Sequence, residues 1–362
     1  MNKNARNFAI FTLLLIFVIA FSLITTTDTL KFNITTDSKT DVQGDNLEAH
    51  FIDVGQGDAI LITQGNHNML IDAGDNKYEK AVVDYLKKQG VKKLDYVIGT
   101  HPHADHIGGL DAVIDAFEIG KIIMPKVEHT TKTFLDVLTS VKNKRLKVTT
   151  PNVGDKYKLG EAEFIIAAPN SKNYLELNNY SIVTRMEYGK ISFLFTGDAE
   201  VLSEMEILNN KINIEADVLK MGHHGSDTSS SDEFLDTVKP KYAVIQVGEG
   251  NKYGHPAAKI LNKLEKRNIK IYRNDLDGNI IAISDGNEII FNLERNLKKN
   301  NQPKESEEPY KEYDIYIGNK NSKVFHVDTC NSLPIENNRK YFETFEEAVS
   351  AGYTPCSRCI SQ

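Results

Sequence analysis

The chain has 362 residues, of which 40% are apolar and 26% charged, so most of it has the composition of an ordinary globular protein. Its 43 Lys and Arg residues against 50 Asp and Glu residues give a formal net charge of −7, which excludes nucleic-acid binding through bulk positive charge alone. The three Cys residues are too few, and odd in number, for a complete disulfide framework.

The first 24 residues differ from the rest of the chain. Lys3 and Arg6 precede an uncharged apolar run over residues 8–24, whose length is near the lower limit for a transmembrane helix. The preceding positive charges predict that the following chain lies outside the cell. No small-residue cleavage site is evident, so we predict a signal anchor over residues 1–24; a cleaved signal peptide, giving a secreted protein, is the alternative. The polar residues 25–46 predict a tether.

Residues 47–295 alternate between strand and helix patterns and predict one domain of mixed α/β class. Strands are predicted at 47–62 (two, around a Gly-Gln-Gly-Asp turn), 68–72, 94–99, 121–124, 191–195, 217–221 and 243–247. Helices are predicted at 78–89, 107–117, 199–209, 231–238 and 257–267, and short strands between 125 and 191. Because the first strands form hairpins, we expect helices that cover sheet layers with partly antiparallel strands.

Several potential metal ligands follow the predicted strand at 94–99. They are His101, His103, Asp105 and His106, on the loop that leads into the next helix. Imidazole and carboxylate groups together suit Zn²⁺, Mn²⁺ or Fe²⁺ better than Ca²⁺. The alternative is a polar loop with exposed histidines, but this many polar groups beside buried strands need a partner. The pattern therefore predicts a metal site.

Further candidates stand at the ends of later strands. Asp198 follows the strand at 191–195, and His223 and His224 follow the strand at 217–221. Asp198 alone would fit a helix N-cap equally well. Together with the earlier loop, these residues predict one site shared by several strand ends.

These motifs resemble those of a known family. THPHADHIGG, LIDAGD, FTGDAE and LKMGHHGS resemble the metallo-β-lactamase fold, and HFIDVGQGDAILI with NKYGHP resembles the hydrolase domain of ComEC-type DNA-uptake proteins, over residues 47–293. The resemblance implies an αββα sandwich with two divalent metals, Zn²⁺ or Mn²⁺. It implies that the first metal is held by His101 and His103, the second by Asp105, His106 and either His223 or His224, with Asp198 bridging and Asp72 supporting the site.

The chain departs from the family at one ligand. Many members supply a further His to the first metal, but the only His in that interval is His129, which is too early and which we predict to be a surface residue. The expected position falls in residues 177–181, Leu-Asn-Asn-Tyr-Ser. An amide oxygen is a weaker ligand than imidazole, so the first metal is expected to be looser, exchangeable or completed by substrate.

Two divalent metals would make hydroxide available from bound water and neutralise the oxygens of a phosphoryl centre. Asp105 and Asp198 are predicted to orient the nucleophile. His255, or the histidine of the 223–224 pair that is not bound to metal, is predicted to protonate the leaving oxygen. A purely structural role for His255 is equally open, and Ser226 with the Gly225 backbone would either contact phosphate or form a turn.

The C-terminal region has its own predicted metal site. Residues 296–312 are charged and predict a linker, and residues 313–362 contain His326, Cys330, Cys356 and Cys359. One imidazole and three thiolates form a closed tetrahedral site for a structural Zn²⁺ that would stabilise a small domain. A Cys356–Cys359 disulfide is the rival interpretation.

Residues 316–359 resemble the zinc-binding domain of the Ada family of DNA-repair proteins. In that family the first ligand is a Cys that also accepts a methyl group, and His326 takes its position here. The resemblance therefore implies a small zinc-stabilised domain without methyl transfer. Positive and negative side chains are nearly balanced in this region, so any contact with DNA would be local.

Together these features predict a metal-dependent phosphodiester hydrolase, a nuclease acting on DNA, held to the outer face of the cell membrane by its N-terminal segment. The second hypothesis retains hydrolysis but changes the substrate to another phosphodiester, such as a phosphocholine ester. The third is an anchored binding protein whose metal site is too weak for turnover.

Overall fold

The computed structural model describes residues 46–295, 315–342 and 344–360, and the chain divides into two compact units, Met1–Lys299 and Asn300–Gln362. The predicted anchor (1–24), the tether up to residue 45 and the predicted linker (296–312) lie outside the described residues. Within the described ranges, no helix combines the length and apolar character that crossing a bilayer requires.

Two mixed sheets form the centre of the first unit. Its strands are β1 (Leu47–Phe51), β2 (Ala59–Gln64), β3 (His67–Ala73), β4 (Lys93–Ile98), β5 (Glu118–Ile123), β6 (Val148–Thr149), β7 (Lys156–Leu159), β8 (Ala162–Ala168), β9 (Val183–Tyr188), β10 (Ile191–Phe195), β11 (Val218–Lys220), β12 (Tyr242–Ile245), β13 (Lys270–Arg273), β14 (Ile280–Ser284) and β15 (Ile289–Leu293). One sheet has the order β15-β14-β1-β2-β3-β4-β5-β6, and the other β13-β12-β11-β10-β9-β8-β7. The core between them contains Phe51 and Ile60 from the first sheet and Phe164 and Phe193 from the second.

Helices cover the outer face of each sheet. They are α1 (Glu79–Lys88), α2 (Ala104–Ile107), α3 (Leu110–Ala116), α4 (Lys132–Asn143), α5 (Val201–Asn209), α6 (Asp232–Val238), α7 (Ala258–Lys266) and the short α8 (Asn274–Asp277). α1 to α4 share a core with the first sheet, and α5 to α7 share a core with the second. The layers therefore form an αββα sandwich, as predicted.

One helix occupies a region where only short strands were expected. α4 begins after Thr131, whose hydroxyl accepts a hydrogen bond from the Phe134 backbone N–H. Phe134, Val137 and Val141 recur at helical spacing and are buried. The β-branched residues of this segment favour strands, but packing of its apolar face against the sheet outweighs that preference.

The predicted helix at 107–117 is divided at Gly108 and Gly109. A Cβ atom on Gly108 would lie 2.3 Å from the backbone nitrogen of Asn76, and one on Gly109 would lie 2.6 Å from the carbonyl oxygen of Ala73. Both positions thus require glycine because the backbone after β3 approaches them closely. This contact holds the 101–106 loop against the end of β3.

The parallel strands explain why distant motifs meet. β3 pairs in parallel with β4, and β10 pairs in parallel with β11, which pairs in parallel with β12. The carboxyl ends of parallel neighbours lie at the same edge of a sheet. The loops after β4, β10 and β11, which contain the candidate ligands, can therefore meet at one edge of the sandwich.

The second unit is a small four-stranded sheet with one described helix. Its strands are β16 (Tyr316–Asn319), β17 (Val324–Val327), β18 (Arg339–Phe342) and β19 (Thr354–Pro355), in the order β18-β16-β17-β19, with helix α9 (Phe345–Ser350). Phe325, Phe342, Ala348 and Tyr353 form its core. A core this small needs additional stabilisation, which a bound metal can supply.

Candidate metal centre

Asp198 lies at the centre of the candidate site. It follows β10 in the turn Thr196-Gly197-Asp198 and is 2% exposed. Its Oδ2 atom lies 3.1 Å from His106 Nε2, 3.5 Å from His224 Nε2, 3.8 Å from His101 Nε2 and 3.9 Å from His223 Nε2. Although burial opposes ionisation, the nearby imidazoles hold the pKa of this carboxyl well below its usual range. One carboxylate oxygen thus faces several ring nitrogens, as a bridging ligand would.

The three buried histidines are oriented by acceptors on their Nδ1 side. His106 Nδ1 lies 2.8 Å from Asp72 Oδ2, and His224 Nδ1 lies 2.9 Å from the Gln246 carbonyl oxygen. His101 Nδ1 lies 3.0 Å from the Thr100 hydroxyl, which itself donates to Asp72. With the proton on Nδ1, each ring directs an Nε2 lone pair into the site, the tautomer that a metal ligand needs.

The remaining ligands of the 101–106 loop lie in the same place. His103 Nδ1 is 3.0 Å from His101 Nε2, so one ion at about 2.0–2.1 Å from each nitrogen can bind both. Asp105 Oδ2 lies 3.5 Å from His224 Nε2. The structure therefore brings together His101, His103, Asp105, His106, Asp198 and His224.

Unpartnered polar atoms indicate that the cluster is built around a cation. Asp198 Oδ1, His106 Nε2 and His224 Nε2 are buried and make no hydrogen bond among the described residues. Such groups are costly in a protein interior unless a partner satisfies them. Divalent ions satisfy carboxylate and neutral imidazole together, so the residues fit the two metals that the motifs imply.

The two neighbouring histidines 223 and 224 have different environments. His224 is 2% exposed and has Nε2 between Asp105 and Asp198, whereas the side chain of His223 is 24% exposed. His223 Nδ1 contacts the Thr228 hydroxyl at 2.9 Å and lies 3.5 Å from Glu200 Oε1. Of the pair, His224 is the better placed to bind metal. His223 lies at the edge of the site, where its ring is free to contact a substrate.

Asp72 supports the site, as the family resemblance implied. Its carboxylate accepts hydrogen bonds from the Thr100 backbone N–H, the Thr100 hydroxyl and His106 Nδ1. These bonds fix the start of the 101–106 loop and the orientation of His106. The Asp72 carboxylate thus orients His106 by a hydrogen bond and does not itself face the centre of the cluster.

Residues 177–181 stand where many family members have a further histidine for the first metal. Asn179 is engaged with Glu200 and with the Ser203 backbone, whereas the side-chain oxygen of Asn178 is buried without a hydrogen bond. The Asn178 amide nitrogen lies 3.5 Å from His223 Nε2. The Ser181 hydroxyl lies 3.4 Å from His101 Nδ1, on the far side of that ring from Nε2, and accepts a hydrogen bond from the Asp198 backbone N–H. Asn178 therefore has the free amide oxygen in this segment.

Two other predicted residues lie near the cluster. The His255 ring contacts the His223 ring edge to face, with 5.7 Å between the ring centroids, and His255 Nδ1 is buried without a hydrogen bond. Burial and the neighbouring His223 lower the pKa of His255, which favours the neutral ring at neutral pH. His129 is partly exposed and contacts the Thr131 hydroxyl.

Sequence reasoning missed a buried ion pair behind the histidines. Lys220, fully buried at the end of β11, lies 2.5 Å from Asp58 Oδ2 and also donates to the carbonyl oxygens of Met221 and Gly197. Its three N–H donors thus tie together the loops that contain His224, Asp198 and Asp58. Asp58 Oδ1 lies 3.4 Å from His224 Nδ1. In the sequence, Asp58 is the last residue of the Gly-Gln-Gly-Asp turn, and no motif indicates that it forms an ion pair with Lys220.

We expect Lys220→Met to destabilise the first unit by about 3–5 kcal/mol, because it leaves the buried Asp58 carboxylate without its cation. Urea unfolding of the chain followed by circular dichroism, with EDTA present to remove the effect of metal, measures this loss. Lys80→Met is the matched control, since Lys80 is 85% exposed and its ion pair with Asp84 lies on the surface. If the two variants unfold at the same urea concentration, Lys220 does not have this role.

The second unit has a separate metal-ligand cluster. His326 Nδ1 lies 3.3 Å from Cys330 Sγ and 3.9 Å from Cys359 Sγ, and the ligand atoms of these residues and Cys356 all lie within 4.8 Å of one another. The three thiols are free, so the structure does not have the rival Cys356–Cys359 disulfide. Burial and the nearby Cys330 raise the pKa of the Cys359 thiol to about 12, so a bound cation is needed to stabilise its thiolate.

Comparisons with known proteins match a family model to each of the two parts of the chain that hold these clusters. Residues 52–249 match the family model of the metallo-beta-lactamase superfamily, and residues 305–361 match that of the metal binding domain of Ada. The chain is 32% identical over 251 residues, 64% of its length, to ComE operon protein 3 of Bacillus subtilis, and 31% identical over 62% of its length to competence protein ComA of Neisseria gonorrhoeae. It spans 32% and 30% of those two proteins. Among solved structures, the metallo-beta-lactamase fold protein YhfI of Bacillus subtilis matches 66% of this chain and 100% of its own, with 13% identity and a TM-score of 0.46.

Proposed function

Because this chain belongs to the metallo-beta-lactamase superfamily, a group with metal-dependent hydrolases, we propose that it hydrolyses phosphodiester bonds and that its substrate is nucleic acid. The observation that carries the proposal is the position of Asp198, whose single carboxylate oxygen faces four imidazole nitrogens within 3.9 Å. The name of one relative, competence protein ComA of Neisseria gonorrhoeae, supports a substrate related to DNA.

Two divalent ions at this site would supply hydroxide at neutral pH and neutralise the oxygens of the phosphoryl group. His101 and His103 would bind one of them, Asp105, His106 and His224 the other, and Asp198 both. Asp105, whose side chain is 34% exposed, and Asp198 would orient the attacking group.

We assign protonation of the leaving oxygen to His223 rather than to His255. His223 has its Nε2 atom 3.9 Å from Asp198 Oδ2, and its side chain is 24% exposed at the edge of the site, where a leaving group can reach it. His255 has a pKa lowered by burial and by His223, which makes it a poor proton donor at neutral pH. Its contact with His223 instead gives it a positioning role.

The test uses the full-length chain in detergent with Zn²⁺ or Mn²⁺, or with EDTA. We expect metal-dependent cleavage of both bis-p-nitrophenyl phosphate and a labelled oligonucleotide. Cleavage of small esters alone, including p-nitrophenyl phosphocholine, would favour the second hypothesis, and no cleavage with metal bound would favour a binding protein.

His223→Gln should reduce cleavage of the oligonucleotide more than that of the nitrophenyl ester, because nitrophenolate leaves without a proton. Equal losses on the two substrates would contradict the assignment of His223 as the proton donor.

We also propose that residues 1–24 anchor the chain to the cell membrane with the hydrolase unit outside. The support is the apolar run and the positive charges that precede it. Cleavage of externally added oligonucleotide by intact cells that make the protein tests this placement in the same assay. Activity found only after lysis would contradict it.

A further inference from the structure

A groove opens beside the metal centre. Its cavity of about 690 Å³ reaches Ala104 and Asp105 at one end and lies between the segments around Lys77 and Lys252. The partly buried carboxylate of Asp105 connects the groove with the metal cluster. A polymeric substrate cleaved at the cluster would extend into this groove.

A row of aromatic rings leads from the metal centre into the groove. His223 lies 6.1 Å from His224 and 5.7 Å from His255 between ring centroids, and His255 stacks on Tyr253 at 5.9 Å with an interplanar angle of 15°. Tyr253, the last ring, is 59% exposed. The row therefore ends in an aromatic ring that is packed on one side and accessible to a ligand.

The loop that presents Tyr253 is held in place by one side chain. The Asn251 amide nitrogen donates to the carbonyl oxygens of Gly248 and His255, and its oxygen accepts from the backbone N–H groups of Tyr253 and His255. These bonds fix the loop on both sides of Tyr253. An exposed ring on a fixed loop loses little conformational freedom when a ligand stacks on it.

Each wall of the groove presents the same tripeptide, Asn-Lys-Tyr, at residues 76–78 and 251–253. In each, the ammonium group lies over the adjacent ring, at 4.9 Å for Lys77 and Tyr78 and at 5.4 Å for Lys252 and Tyr253. Neither ammonium forms an ion pair with a carboxylate in residues 46–295. Two cation–ring pairs thus flank a groove that ends at a hydrolytic site.

Four acidic residues also line the groove, and each has a contact within the protein. Asp75 accepts a hydrogen bond from the Lys77 backbone N–H, Asp53 accepts one from the Gly55 N–H, Glu249 pairs with Arg295 at 3.4 Å, and Asp105 lies 3.5 Å from His224 Nε2. Lys77 and Lys252 are the cations of the groove that have no carboxylate partner in residues 46–295.

We propose that this groove binds single-stranded nucleic acid, with a base stacked on Tyr253 and the adjoining phosphates against Lys252 and Lys77. The inference rests on the proposed function and adds the strandedness of the substrate and the residues that hold it. Base stacking on aromatic rings beside cationic side chains is how proteins bind single strands without reading sequence. A paired base in a duplex does not offer its face to such a ring.

The test measures binding and cleavage separately, with the full-length chain. Fluorescence anisotropy of the metal-loaded chain with labelled phosphorothioate oligothymidylate and oligouridylate, whose linkages resist hydrolysis, gives the dissociation constants. We expect Tyr253→Ala to weaken binding about tenfold, Tyr253→Phe to bind like the wild type, and Lys252→Ala to bind more weakly with a smaller salt dependence. Lys80→Ala, on the exposed face of α1, is the control and should not change binding.

With metal present, the loss of kcat/KM caused by Tyr253→Ala should be about tenfold larger for the oligonucleotide than for bis-p-nitrophenyl phosphate. Equal losses on both substrates would overturn the inference, because Tyr253 would then only support the metal site. Duplex binding as tight as single-strand binding, or binding of neither DNA nor RNA, would also overturn it. If the wild type binds single strands but cleaves neither substrate, the proposed hydrolysis fails while the groove assignment stands.

Discussion

Asp198→Asn is expected to lower kcat/KM for bis-p-nitrophenyl phosphate by about three orders of magnitude, equivalent to ~4 kcal/mol of transition-state stabilisation. The amide preserves the shape of the side chain but removes its negative charge. The Asp198 carboxylate lies within 3.9 Å of the Nε2 atoms of four histidines. Among the described residues it is the only carboxylate that lies near both His101, a ligand assigned to the first metal, and His106 and His224, assigned to the second. Steady-state kinetics at saturating Zn²⁺ or Mn²⁺ measure the loss.

Asp84→Asn is the matched control for this substitution. Asp84 lies on α1, pairs with Lys80 and is exposed, so its replacement should not change the kinetics. Activity of Asp198→Asn within tenfold of the wild type would show that Asp198 does not bridge the metals.

Cys356→Ser is expected to unfold the second unit, because it removes one of four ligands from a site that supplies on the order of 10 kcal/mol of folding free energy in comparable zinc modules. The core of this unit, around Phe325 and Phe342, is small. Limited proteolysis should release the C-terminal region rapidly from the variant but slowly from the wild type. Hydrolysis of bis-p-nitrophenyl phosphate by the first unit, a separate compact unit, should persist.

Ser357→Ala is the control for the second prediction, since Ser357 is the exposed neighbour of Cys356 and offers no ligand. It should resist protease like the wild type. A Cys356→Ser chain that remains equally resistant would show that the unit folds without its metal.

The alternation of strands and helices predicted helices that cover partly antiparallel sheet layers, and the family resemblance implied the αββα sandwich. Both were confirmed by the layers that the structure shows. α4 was missed because the β-branched residues of Lys132–Asn143 conceal a helical apolar face. β13, β14 and β15 were not predicted, although β14 alternates between buried and partly exposed residues.

Within the site, local motifs identified the residues that face the metals but not those behind them. Lys220 and Asp58 belong to separate motifs, and only the fold brings the ammonium within 2.5 Å of the carboxylate. The choice between His223 and His224 also required the structure, because two adjacent imidazoles on one loop are equivalent in sequence. Their different partners, Glu200 for one and Gln246 for the other, separate them.

The most direct test of the two-metal interpretation is the metal content of the purified chain, measured by inductively coupled plasma mass spectrometry. The wild type should contain about three divalent ions per chain, two in the Asp/His cluster and one bound by His326 and the cysteines. Cys356→Ser should contain about two, and Asp198→Asn should retain the C-terminal ion while losing ions from the cluster. About one ion in the wild type and none in Cys356→Ser would contradict the account.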